Sequence, residues 1–575
     1  MDRSESRFIA LLIEKNTGTS IFLSLVVCGH ESSPGIEHLS IMKPFHSTYD
    51  VVVVGGGNAG FSAATTAAQS GARTLLVEKA PESENGGNTF YTAGAYRYAF
   101  KDFDDLKPIL YDVESGEKGL SEDLISRIDL QGYPEQDFMK DILRVTKNRS
   151  DPKLANKLVD ESRSAIQWIS DNGGKFVLSF NRQAYEIKDR FVFWGGMVTM
   201  FRGGGKELVK WHVETAKKNG VEIWWKTPAT GLITDEESGR VLGIEVLQEG
   251  RKIRIQANGG VILACGGFSA DPALRAKYLG PGWDLAHVRG SPFNTGDGHR
   301  MARQIGAKTA GNYSGCHSTC WDANSPRNGG DRVLTNQFTK SGYPLGLMLN
   351  CNGDRFVDEG LDLRNYTYAI FGVEVLKQPS GKAFQVWDAE GSKWLRKEEY
   401  ADDVTQNIRA DSLEALAEKL IERGLTNKNK FIDTVKEYNQ AVEAFAAEQP
   451  NKKFNPAEKD GLSTQSSTKK LALAKSNWAR PLTKGPFQAV EVTSGVTFTF
   501  GGLDVDPDTA EIVSDTSRKP IGGLYCCGEL LGGLFFSNYP GGSGLTAGTV
   551  FGRIAGKHAA ANKSSWSQQF QSSKL

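Results

Sequence analysis

The chain has 575 residues, 39% of them hydrophobic, which suits two or three globular domains and differs from the composition of a disordered protein. Lysine plus arginine and aspartate plus glutamate each total 68, so the net charge is zero and a nucleic-acid-binding surface is not expected. The apolar runs are too short to span a membrane, and seven scattered cysteines without a signal peptide favour a reduced, intracellular protein.

The two ends of the chain carry separate expectations. Residues 1–47 show no sustained hydrophobic periodicity, so we expect a poorly ordered N-terminal extension there. The chain closes with Ser573-Lys574-Leu575, the tripeptide that the peroxisomal import receptor reads at a C-terminus. A chance match in the Ser- and Gln-rich tail 563–575 is the alternative. We predict peroxisomal localisation, with that receptor as a partner.

A strand–helix–strand pattern follows the extension. Tyr49-Asp-Val-Val-Val-Val54 predicts a short buried strand, Phe61–Ser70 a helix, and Arg73-Thr-Leu-Leu-Val-Glu78 a second strand. The turn between the first strand and the helix has the sequence Gly55-x-Gly57-x-x-Gly60. Together these segments predict a complete βαβ unit of the dinucleotide-binding type.

Each residue type in this unit has a physical role in holding a dinucleotide. The glycine at Gly55 allows the tight turn, Gly57 lets the backbone approach a pyrophosphate, and Gly60 lets the helix pack closely on the strand. Glu78 ends the second strand, where an acid accepts hydrogen bonds from the adenosine ribose. A structural glycine turn is the alternative for the motif taken alone. The complete unit favours dinucleotide binding.

Further glycine-rich turns follow several predicted strands, and they favour FAD over a nicotinamide cofactor. A long cofactor lying across the carboxyl edge of a sheet needs close backbone approach at several strand ends. These turns are Gly86-Gly-Asn-Thr89 with Ala93-Gly94, Ala264-Cys-Gly-Gly267, Thr295-Gly-Asp-Gly298 and Gly528-Glu529.

Amphipathic helices are predicted in the remainder of the chain. Asp151-Pro152 opens one with a capping residue and a proline at its first position. Asp411, with Glu414 three residues later, is predicted to cap a second helix, which Gly424 stops. The apolar spacing over Phe431–Phe445 predicts a third.

Four longer motifs give the chain a family resemblance. They are Asn294-Thr-Gly-Asp-Gly298, Asp358-Glu-Gly-Leu-Asp-Leu-Arg-Asn-Tyr-Thr-Tyr-Ala369, Thr497-Phe-Thr-Phe-Gly-Gly502 and Asn538-Tyr-Pro-Gly-Gly-Ser-Gly-Leu545. On these motifs the sequence resembles the FAD-dependent flavoprotein family of fumarate reductases and succinate dehydrogenases, from about Tyr49 to about Ala561. Within that family it resembles the tricarballylate dehydrogenase subgroup most.

The resemblance implies an α/β fold, in which a Rossmann-like FAD-binding domain carries an inserted α+β capping domain. The FAD-binding domain would comprise residues 48–313 and 496–562, and the capping domain residues 314–495. Besides Gly55, Gly57, Gly60 and Glu78, the implied FAD contacts are Asn58, Ala59, Lys79, Gly87, Asn88, Thr89, Ala93, Gly94, Ala229, Ala264, Gly266, Asp297, Glu529, Gly544 and Leu545. Some relatives attach the flavin covalently to a histidine at the place of Asn88. Asparagine cannot make that bond, so non-covalent FAD is expected.

The resemblance also implies how the residues of the active site work. Oxidising a carbon–carbon bond beside a carboxylate requires loss of a proton from one carbon and of a hydride from its neighbour. Arg364 is implied as the proton carrier and His317 as a substrate-binding residue. A carboxylate anchor for Arg364 and a packed core residue for His317 are the alternatives. Two thiols crowded beside His317, without a partner cluster, do not suit a metal site.

Two departures from the family pattern concern the substrate. Phe498 and Tyr539 stand where fumarate reductases place a histidine and an arginine that hold carboxylates, so turnover of simple fumarate or succinate is not expected. Thr497, Thr499 and Gly542 are expected beside the substrate. We predict a dehydrogenase for a tricarballylate-like polycarboxylate, with an electron acceptor that the sequence does not identify. A 3-ketosteroid dehydrogenase that uses Tyr539 is the alternative, and a flavin-binding protein without turnover is less favoured.

Overall fold

The βαβ unit predicted near the N-terminus is present in the computed structural model, which describes residues 44–562. Strand β1 (Ser47–Val54) leads into helix α1 (Asn58–Gln69), and strand β2 (Thr74–Val77) follows. The two strands pair in parallel, with Val51 opposite Thr74 and Val54 opposite Val77. All four residues of β2 are buried, as a run of apolar residues in a parallel sheet requires. The predicted βαβ unit is therefore confirmed.

The larger sheet has eight strands and is built around β1. β1 also pairs in parallel with the long strand Arg251–Leu263, which in turn pairs with Pro520–Cys526. Six of the strands form a continuous path in the order Ala229–Thr234, Val241–Gln248, Arg251–Leu263, Ser47–Val54, Thr74–Val77 and Glu222–Trp224. Off this path, Glu511–Val513 pairs with Pro520–Cys526. The carboxyl ends of the parallel strands therefore meet at one edge, where ligands bind in such sheets.

A six-stranded sheet is organised around the long strand Phe487–Leu503. This strand pairs antiparallel with Thr309–Asp322 over most of its length. The remaining members are His287–Val288, Leu347–Asn350, Ala383–Trp387 and Ile408–Ala410. Residues 314–495 were predicted as a separate capping domain, and the two long strands run through both of its predicted boundaries. The division into domains stays a prediction.

Two three-stranded sheets and a set of helices complete the fold. The first small sheet comprises Ala95–Tyr96, Thr199–Phe201 and Phe176–Leu178. The second comprises Ile128–Asp129, Arg190–Phe193 and Ala184–Ile187. The longer helices are Glu135–Val145, Pro152–Asp171, Gly204–Lys218, Pro272–Tyr278, Asp297–Gln304, Leu413–Ile421, Lys428–Glu448 and Ser543–Ala561. The shorter α-helices are Gly87–Phe90, Phe103–Leu106, Glu122–Arg127, Phe180–Gln183, Arg364–Thr367, Phe371–Leu376, Ala389–Ser392 and Lys397–Tyr400. Within residues 44–562, no helix has the length and hydropathy needed to cross a membrane.

Small residues bring helix Ser543–Ala561 against α1. A Cβ atom on Gly552 would lie 2.5 Å from the carbonyl oxygen of Ala59, and one on Gly556 would lie 2.3 Å from that of Ala63. Only glycine allows the two helix backbones to approach this closely. Because both helices begin at the same cavity, their packing sets the relative position of two helix N-termini there.

The residues that cap two of the helices agree with the sequence prediction in one case and differ from it in the other. Asp151 caps its helix as predicted, with its carboxylate accepting hydrogen bonds from Lys153 N and Leu154 N. Asp411 was predicted to cap the helix Leu413–Ile421, and this was wrong. The cap is Ser412, whose extended backbone lets its hydroxyl accept a hydrogen bond from Ala415 N at 3.1 Å. The N-terminal extension and the peroxisomal tripeptide lie outside the described residues.

Candidate functional site

A large cavity lies at the carboxyl ends of β1 and β2. The first turn of α1, the start of helix Ser543–Ala561 and the middle of strand Phe487–Leu503 also line it. Its two ends differ in chemistry. One end is glycine-rich and bordered by helix N-termini, whereas the other carries arginines, amides and aromatic rings. We call them the nucleotide end and the distal end.

The nucleotide end has the geometry of a phosphate cradle. Gly57 caps α1 without a side-chain hydrogen bond of its own, and Asn58 N instead donates to Thr89 Oγ1 at 2.9 Å. A Cβ atom on Gly57 would meet nothing nearer than Thr89 Oγ1 at 3.7 Å, so the space in front of the helix is open. A Cβ atom on Gly60 would lie 1.9 Å from the carbonyl oxygen of Gly55. Gly60 therefore serves helix packing, and Gly57 leaves room for a ligand.

Charged groups surround the end of β2. Glu78 accepts hydrogen bonds from Gly56 N at 2.6 Å and from Ala80 N at 2.8 Å, and burial raises the pKa of its carboxyl group. Lys79 Nζ lies 2.6 Å from Asp297 Oδ2, and this ion pair holds the first turn of the helix Asp297–Gln304 against the cavity. The predicted ribose acid is thus anchored by backbone N–H groups at the cavity wall.

Asn88 and Glu529 form a hydrogen-bonded node in the middle of the cavity. Asn88 Nδ2 donates to the carbonyl oxygen of Thr497 at 2.6 Å and to Glu529 Oε2 at 3.1 Å, and Asn88 Oδ1 accepts from Ser291 N at 2.9 Å. Glu529 Oε1 accepts from Thr499 N at 2.8 Å and from its hydroxyl at 3.0 Å. Burial raises the pKa of Glu529 to about 7. These hydrogen bonds fix the orientation of both side chains.

The side chain of Asn58 is a structural hub rather than a free cofactor ligand. Its Nδ2 donates to the carbonyl oxygen of Leu545 at 2.8 Å, and Tyr96 Oη donates to its Oδ1 at 3.0 Å. His212 Nε2 also lies 3.0 Å from Oδ1, and burial lowers the pKa of His212 to about 3, so that ring is neutral. Asn58 therefore joins the start of α1 to the start of helix Ser543–Ala561.

Four arginines line the distal end, and two of them have no carboxylate partner. Arg182 and Arg396 both form ion pairs with Glu398 at 2.6 Å. Arg289 and Arg364 form no ion pair within residues 44–562. Burial lowers the pKa of each of these two guanidinium groups, although both remain cationic at neutral pH. The distal end is therefore electropositive and suited to an anion.

Arg289 and Arg364 are held by neutral groups only. Arg289 Nη1 donates to Thr497 Oγ1 at 3.2 Å, and its buried Nε has no hydrogen-bond partner among the described residues. Arg364 donates to the carbonyl oxygen of Arg182, and its guanidinium carbon lies 5.4 Å from the centre of the Trp194 ring. Neither cation forms an ion pair within residues 44–562, although the carboxylate of Glu399, which is paired with Arg396, lies near enough to favour the charged form of both.

Aromatic rings form the opposite wall of the distal end. The ring of His317 lies 4.8 Å from that of Tyr368 and 5.4 Å from that of Tyr539. The ring of Phe498 lies 5.5 Å from that of Tyr539. Burial, together with nearby Arg289, holds the pKa of His317 well below its ordinary value, so the ring is neutral. Its Nε2 is buried and has no partner in the described part of the chain.

Most of the residues predicted from the sequence are brought together in this cavity. Those that line it are Gly55, Gly57, Asn58, Ala59, Glu78, Lys79, Gly87, Asn88, Thr89, Ala93, Ala229, Ala264, Gly266, Asp297, His317, Arg364, Thr497, Glu529, Tyr539, Gly542, Gly544 and Leu545. Gly60, Gly94 and Thr499 do not line it. Gly60 and Gly94 pack against the backbones of Gly55 and Gly204, and Thr499 is fully buried against Glu529.

The sequence reasoning missed several residues of the distal end. Arg289, Arg182, Arg396, Asn365 and Tyr368 all line the cavity. Asn365 and Tyr368 lie in the motif that supplied Arg364, so that motif could have indicated them. Arg182, Arg289 and Arg396 lie outside every motif used, and nothing in their local sequence distinguishes them from surface arginines.

A long dinucleotide with a ring system fits the residues that are present. The open space before Gly57, the anchored acid at Glu78 and the second helix N-terminus at Gly544 match an adenosine, a pyrophosphate and a flavin ring in series. Two helix N-termini at one cavity favour the negative charge of the pyrophosphate. The site therefore defines a flavoprotein.

Comparisons with known proteins identify the family. A family model described as an FAD binding domain matches residues 50–545, and the chain belongs to that family. It is an FAD-dependent oxidoreductase. The predictions of FAD as cofactor and of the family and its α/β fold are confirmed. The closer resemblance to tricarballylate dehydrogenases stays a prediction.

Named relatives differ in the compounds they act on. The chain is 28% identical over 522 residues to a cytochrome-type fumarate reductase of Shewanella frigidimarina, covering 90% of this chain and 77% of that protein. It is 26% identical to a vinyl phenol reductase of Lactiplantibacillus plantarum, covering 90% and 97%. Among solved structures, 3-ketosteroid delta1-dehydrogenase of Sterolibacterium denitrificans superposes with a TM-score of 0.66 at 20% identity, covering 90% and 100%. At this identity the likeness concerns the fold.

Proposed function

We propose that this flavoenzyme oxidises a CH–CH bond, or reduces the corresponding C=C bond, of a small polycarboxylate similar to tricarballylate. The observation that carries the proposal is the pair of cavity-lining arginines, Arg289 and Arg364, without carboxylate partners among residues 44–562. The names of the reductases among its relatives agree with chemistry at a carbon–carbon double bond. A substrate with at least two carboxylates would satisfy both cations.

The energetics of Arg289 support an anionic ligand. Its side chain is 8% exposed, and its nearest hydrogen-bond partners are neutral. A buried cation without a counter-charge costs several kcal/mol in a folded protein. A carboxylate of the substrate would offset this cost, and the unpartnered Nε would complete a two-pronged contact with it.

When bound at this site, FAD would supply the hydride chemistry at the carbon–carbon bond. The residues of the chain bind the acid, exclude water and move the proton. We assign the proton transfer to Arg364, because it lines the cavity and its guanidinium group forms no ion pair within residues 44–562. His317 is neutral and presents Nε2 as a hydrogen-bonding group to the substrate.

A 3-ketosteroid dehydrogenase remains the second candidate, and one observation favours it. Tyr368 Oη and Tyr539 Oη lie 2.6 Å apart, and burial raises the pKa of both phenols. Two neutral, linked phenols are suited to polarising a ketone. The unpaired arginines argue against a neutral steroid, because such a ligand would leave them buried without a counter-charge. A flavin-binding protein without turnover binds no substrate, so it would not require the unpaired arginines Arg289 and Arg364 either.

Substitution of the two arginines tests this proposal. In anaerobic titrations with tricarballylate, Arg289→Gln should weaken binding by at least about thirtyfold, since loss of one partner of a buried charge pair costs about 2–5 kcal/mol. Arg364→Lys should slow single-turnover flavin reduction at least about a hundredfold, with the flavin spectrum intact. Arg149→Gln, an exposed arginine outside the cavity, serves as the control. Unchanged binding in Arg289→Gln would contradict the carboxylate clamp.

Attachment of the cofactor and location of the enzyme are further parts of the proposal. We propose that FAD is bound non-covalently, because Asn88 occupies the attachment position and all its amide groups are hydrogen-bonded.

We also propose import into peroxisomes through Ser573-Lys574-Leu575, and transfer of electrons to a separate acceptor. A fluorescent protein fused to residues 563–575 should colocalise with a peroxisomal marker and lose that location when Leu575 is deleted. Diffuse fluorescence of the intact fusion would contradict it.

A further inference from the structure

Two buried amides at the distal end have polar atoms that the proposed function does not use. Asn365 is 2% exposed, and neither its Oδ1 nor its Nδ2 has a hydrogen-bond partner within residues 44–562. Gln183 is fully buried, and its Oε1 has no partner there either. Both side chains line the cavity. An unsatisfied buried polar atom costs about 1–3 kcal/mol, so three of them together indicate a polar ligand.

Two short helices bring these amides to one place. Gln183 ends the helix Phe180–Gln183, and Asn365 is the second residue of the helix Arg364–Thr367. The guanidinium group of Arg364 donates to the carbonyl oxygen of Arg182, which joins the two helices. A Cβ atom placed on Gly195 would lie 2.8 Å from Asn365 Nδ2 and 3.5 Å from Gln183 Nε2. The two amides therefore flank the same glycine.

The donors and acceptors that Gln183 and Asn365 offer to a ligand can be counted. Gln183 Nε2 donates to the carbonyl oxygen of Trp194 at 2.6 Å, which orients the amide and leaves Oε1 as an acceptor. Asn365 offers one acceptor and one N–H donor group in either orientation of its amide. The site thus presents two acceptors and one donor group. A carboxylate cannot donate, a hydroxyl donates once, and an ammonium group cannot accept. A primary carboxamide has two N–H donors and one carbonyl acceptor, and it satisfies all three.

We infer that the substrate carries a primary carboxamide, which Asn365 and Gln183 bind beside the carboxylates held by Arg289 and Arg364. The substrate class is then the monoamide of a tricarballylate-like acid. This inference rests on the proposed function and adds to it the nature of one substrate arm. Asn365 and Gln183 determine specificity and take no part in moving the proton.

A comparison of three probes on the holoenzyme tests the carboxamide. Tricarballylate, its terminal monoamide and its terminal monomethyl ester are titrated anaerobically, with the flavin absorbance as the readout. The ester matches the amide in size but has no N–H groups. We expect the monoamide to bind at least about tenfold more tightly than the ester, since two hydrogen bonds contribute about 1 kcal/mol each. Equal dissociation constants for the two would overturn the inference.

Variants locate the preference at the two amides. Asn365→Leu should reduce the preference for the monoamide by about fivefold while the FAD content stays complete, because one of the two hydrogen bonds from the carboxamide N–H groups is lost. Asn312→Ala, which removes a buried and hydrogen-bonded amide outside the cavity, should retain it. A preference of unreduced size in Asn365→Leu would overturn the assignment. Loss of FAD from a folded Asn365→Leu protein would also overturn the assignment, because it would show that the Asn365 amide faces the flavin. If Asn365→Leu does not fold, the wild-type comparison still decides.

Failure of this inference is distinguishable from failure of the proposed function. If none of the three acids perturbs or reduces the flavin, the polycarboxylate proposal is wrong. If tricarballylate reduces the flavin and binds as well as its monoamide, only the carboxamide subsite is wrong.

Discussion

The hydroxyl oxygens of Tyr368 and Tyr539 lie 2.6 Å apart, with both rings lining the cavity beside His317. One phenol must donate to the other, so the pair keeps a single hydrogen for a bound molecule. Both groups are neutral, because burial raises the pKa of each. The pair is therefore a hydrogen-bond donor to the substrate in either of the two candidate reactions. The two reactions differ in how strongly they depend on this hydrogen bond.

Removal of the Tyr539 hydroxyl separates the two candidate reactions. In a polycarboxylate enzyme, Tyr539→Phe should weaken substrate binding by about tenfold or less, because one neutral hydrogen bond contributes about 0.5–1.5 kcal/mol. In a ketosteroid enzyme it should lower turnover by about 10²–10⁴-fold, because the phenol would act as a general acid. Single-turnover flavin reduction measures the difference. Tyr313→Phe is a matched control, since Tyr313 donates to the carbonyl oxygen of Gly502 outside the cavity.

The two glycines Gly57 and Gly60 should respond differently to substitution. A side chain at Gly57 meets open space in the protein, so Gly57→Val should fold normally and lose FAD, giving colourless protein. A Cβ atom on Gly60 would lie 1.9 Å from a carbonyl oxygen, so Gly60→Ala should destabilise the fold itself. Flavin absorbance and thermal unfolding together distinguish the outcomes. A full flavin content in Gly57→Val would show that the cradle is assigned wrongly.

Glu529 should make the stability of the FAD-free protein depend on pH. Burial raises its pKa from 4.5 to about 7, so between these values the folded protein holds a proton that the unfolded chain has lost. The contribution to the free energy of unfolding is therefore complete below about pH 4.5 and is lost as pH rises through about 7. Glu529→Gln should remove a decline of roughly 3 kcal/mol. Urea unfolding at several pH values compares the two proteins, and an identical pH dependence would contradict this role.

The attachment of FAD can be examined directly in the wild-type protein. Asn88 cannot form the bond to the flavin, and its amide is held by Thr497, Glu529 and Ser291. Acid precipitation should therefore leave the yellow colour in the supernatant. A yellow pellet would show a covalent flavin and would place its attachment at another residue.

The nucleotide end of the site could be predicted from the sequence, because its signals are local. The turn from Gly55 to Gly60 and the acid at Glu78 occur within one βαβ unit, whose spacing is fixed by the geometry of the strands and the helix. The capping error at Asp411 is also local. Ser412 is an equally good capping residue, and only the backbone conformation at that position decides between them.

The distal end could be predicted only in part, because its properties arise from contacts between distant segments. Arg289 is assigned a function because none of residues 44–562 forms an ion pair with it, and the sequence does not reveal which partners fold against a side chain. Arg182 and Arg396 look the same in the sequence, yet Glu398 pairs with both. Thr499 was predicted from its motif, but its hydroxyl is buried against Glu529 and the residue does not line the cavity.

Anaerobic spectroscopy of the wild-type holoenzyme with polycarboxylates and a steroid tests the polycarboxylate assignment. We expect tricarballylate, or its monoamide, to bleach the oxidised flavin, or the corresponding unsaturated acid to reoxidise flavin reduced with dithionite. We expect 4-androstene-3,17-dione to do neither, because it offers no anion to Arg289 and Arg364. Bleaching by the steroid alone, with no response to any polycarboxylate, would contradict the polycarboxylate assignment and would assign the site to ketone chemistry at Tyr368 and Tyr539.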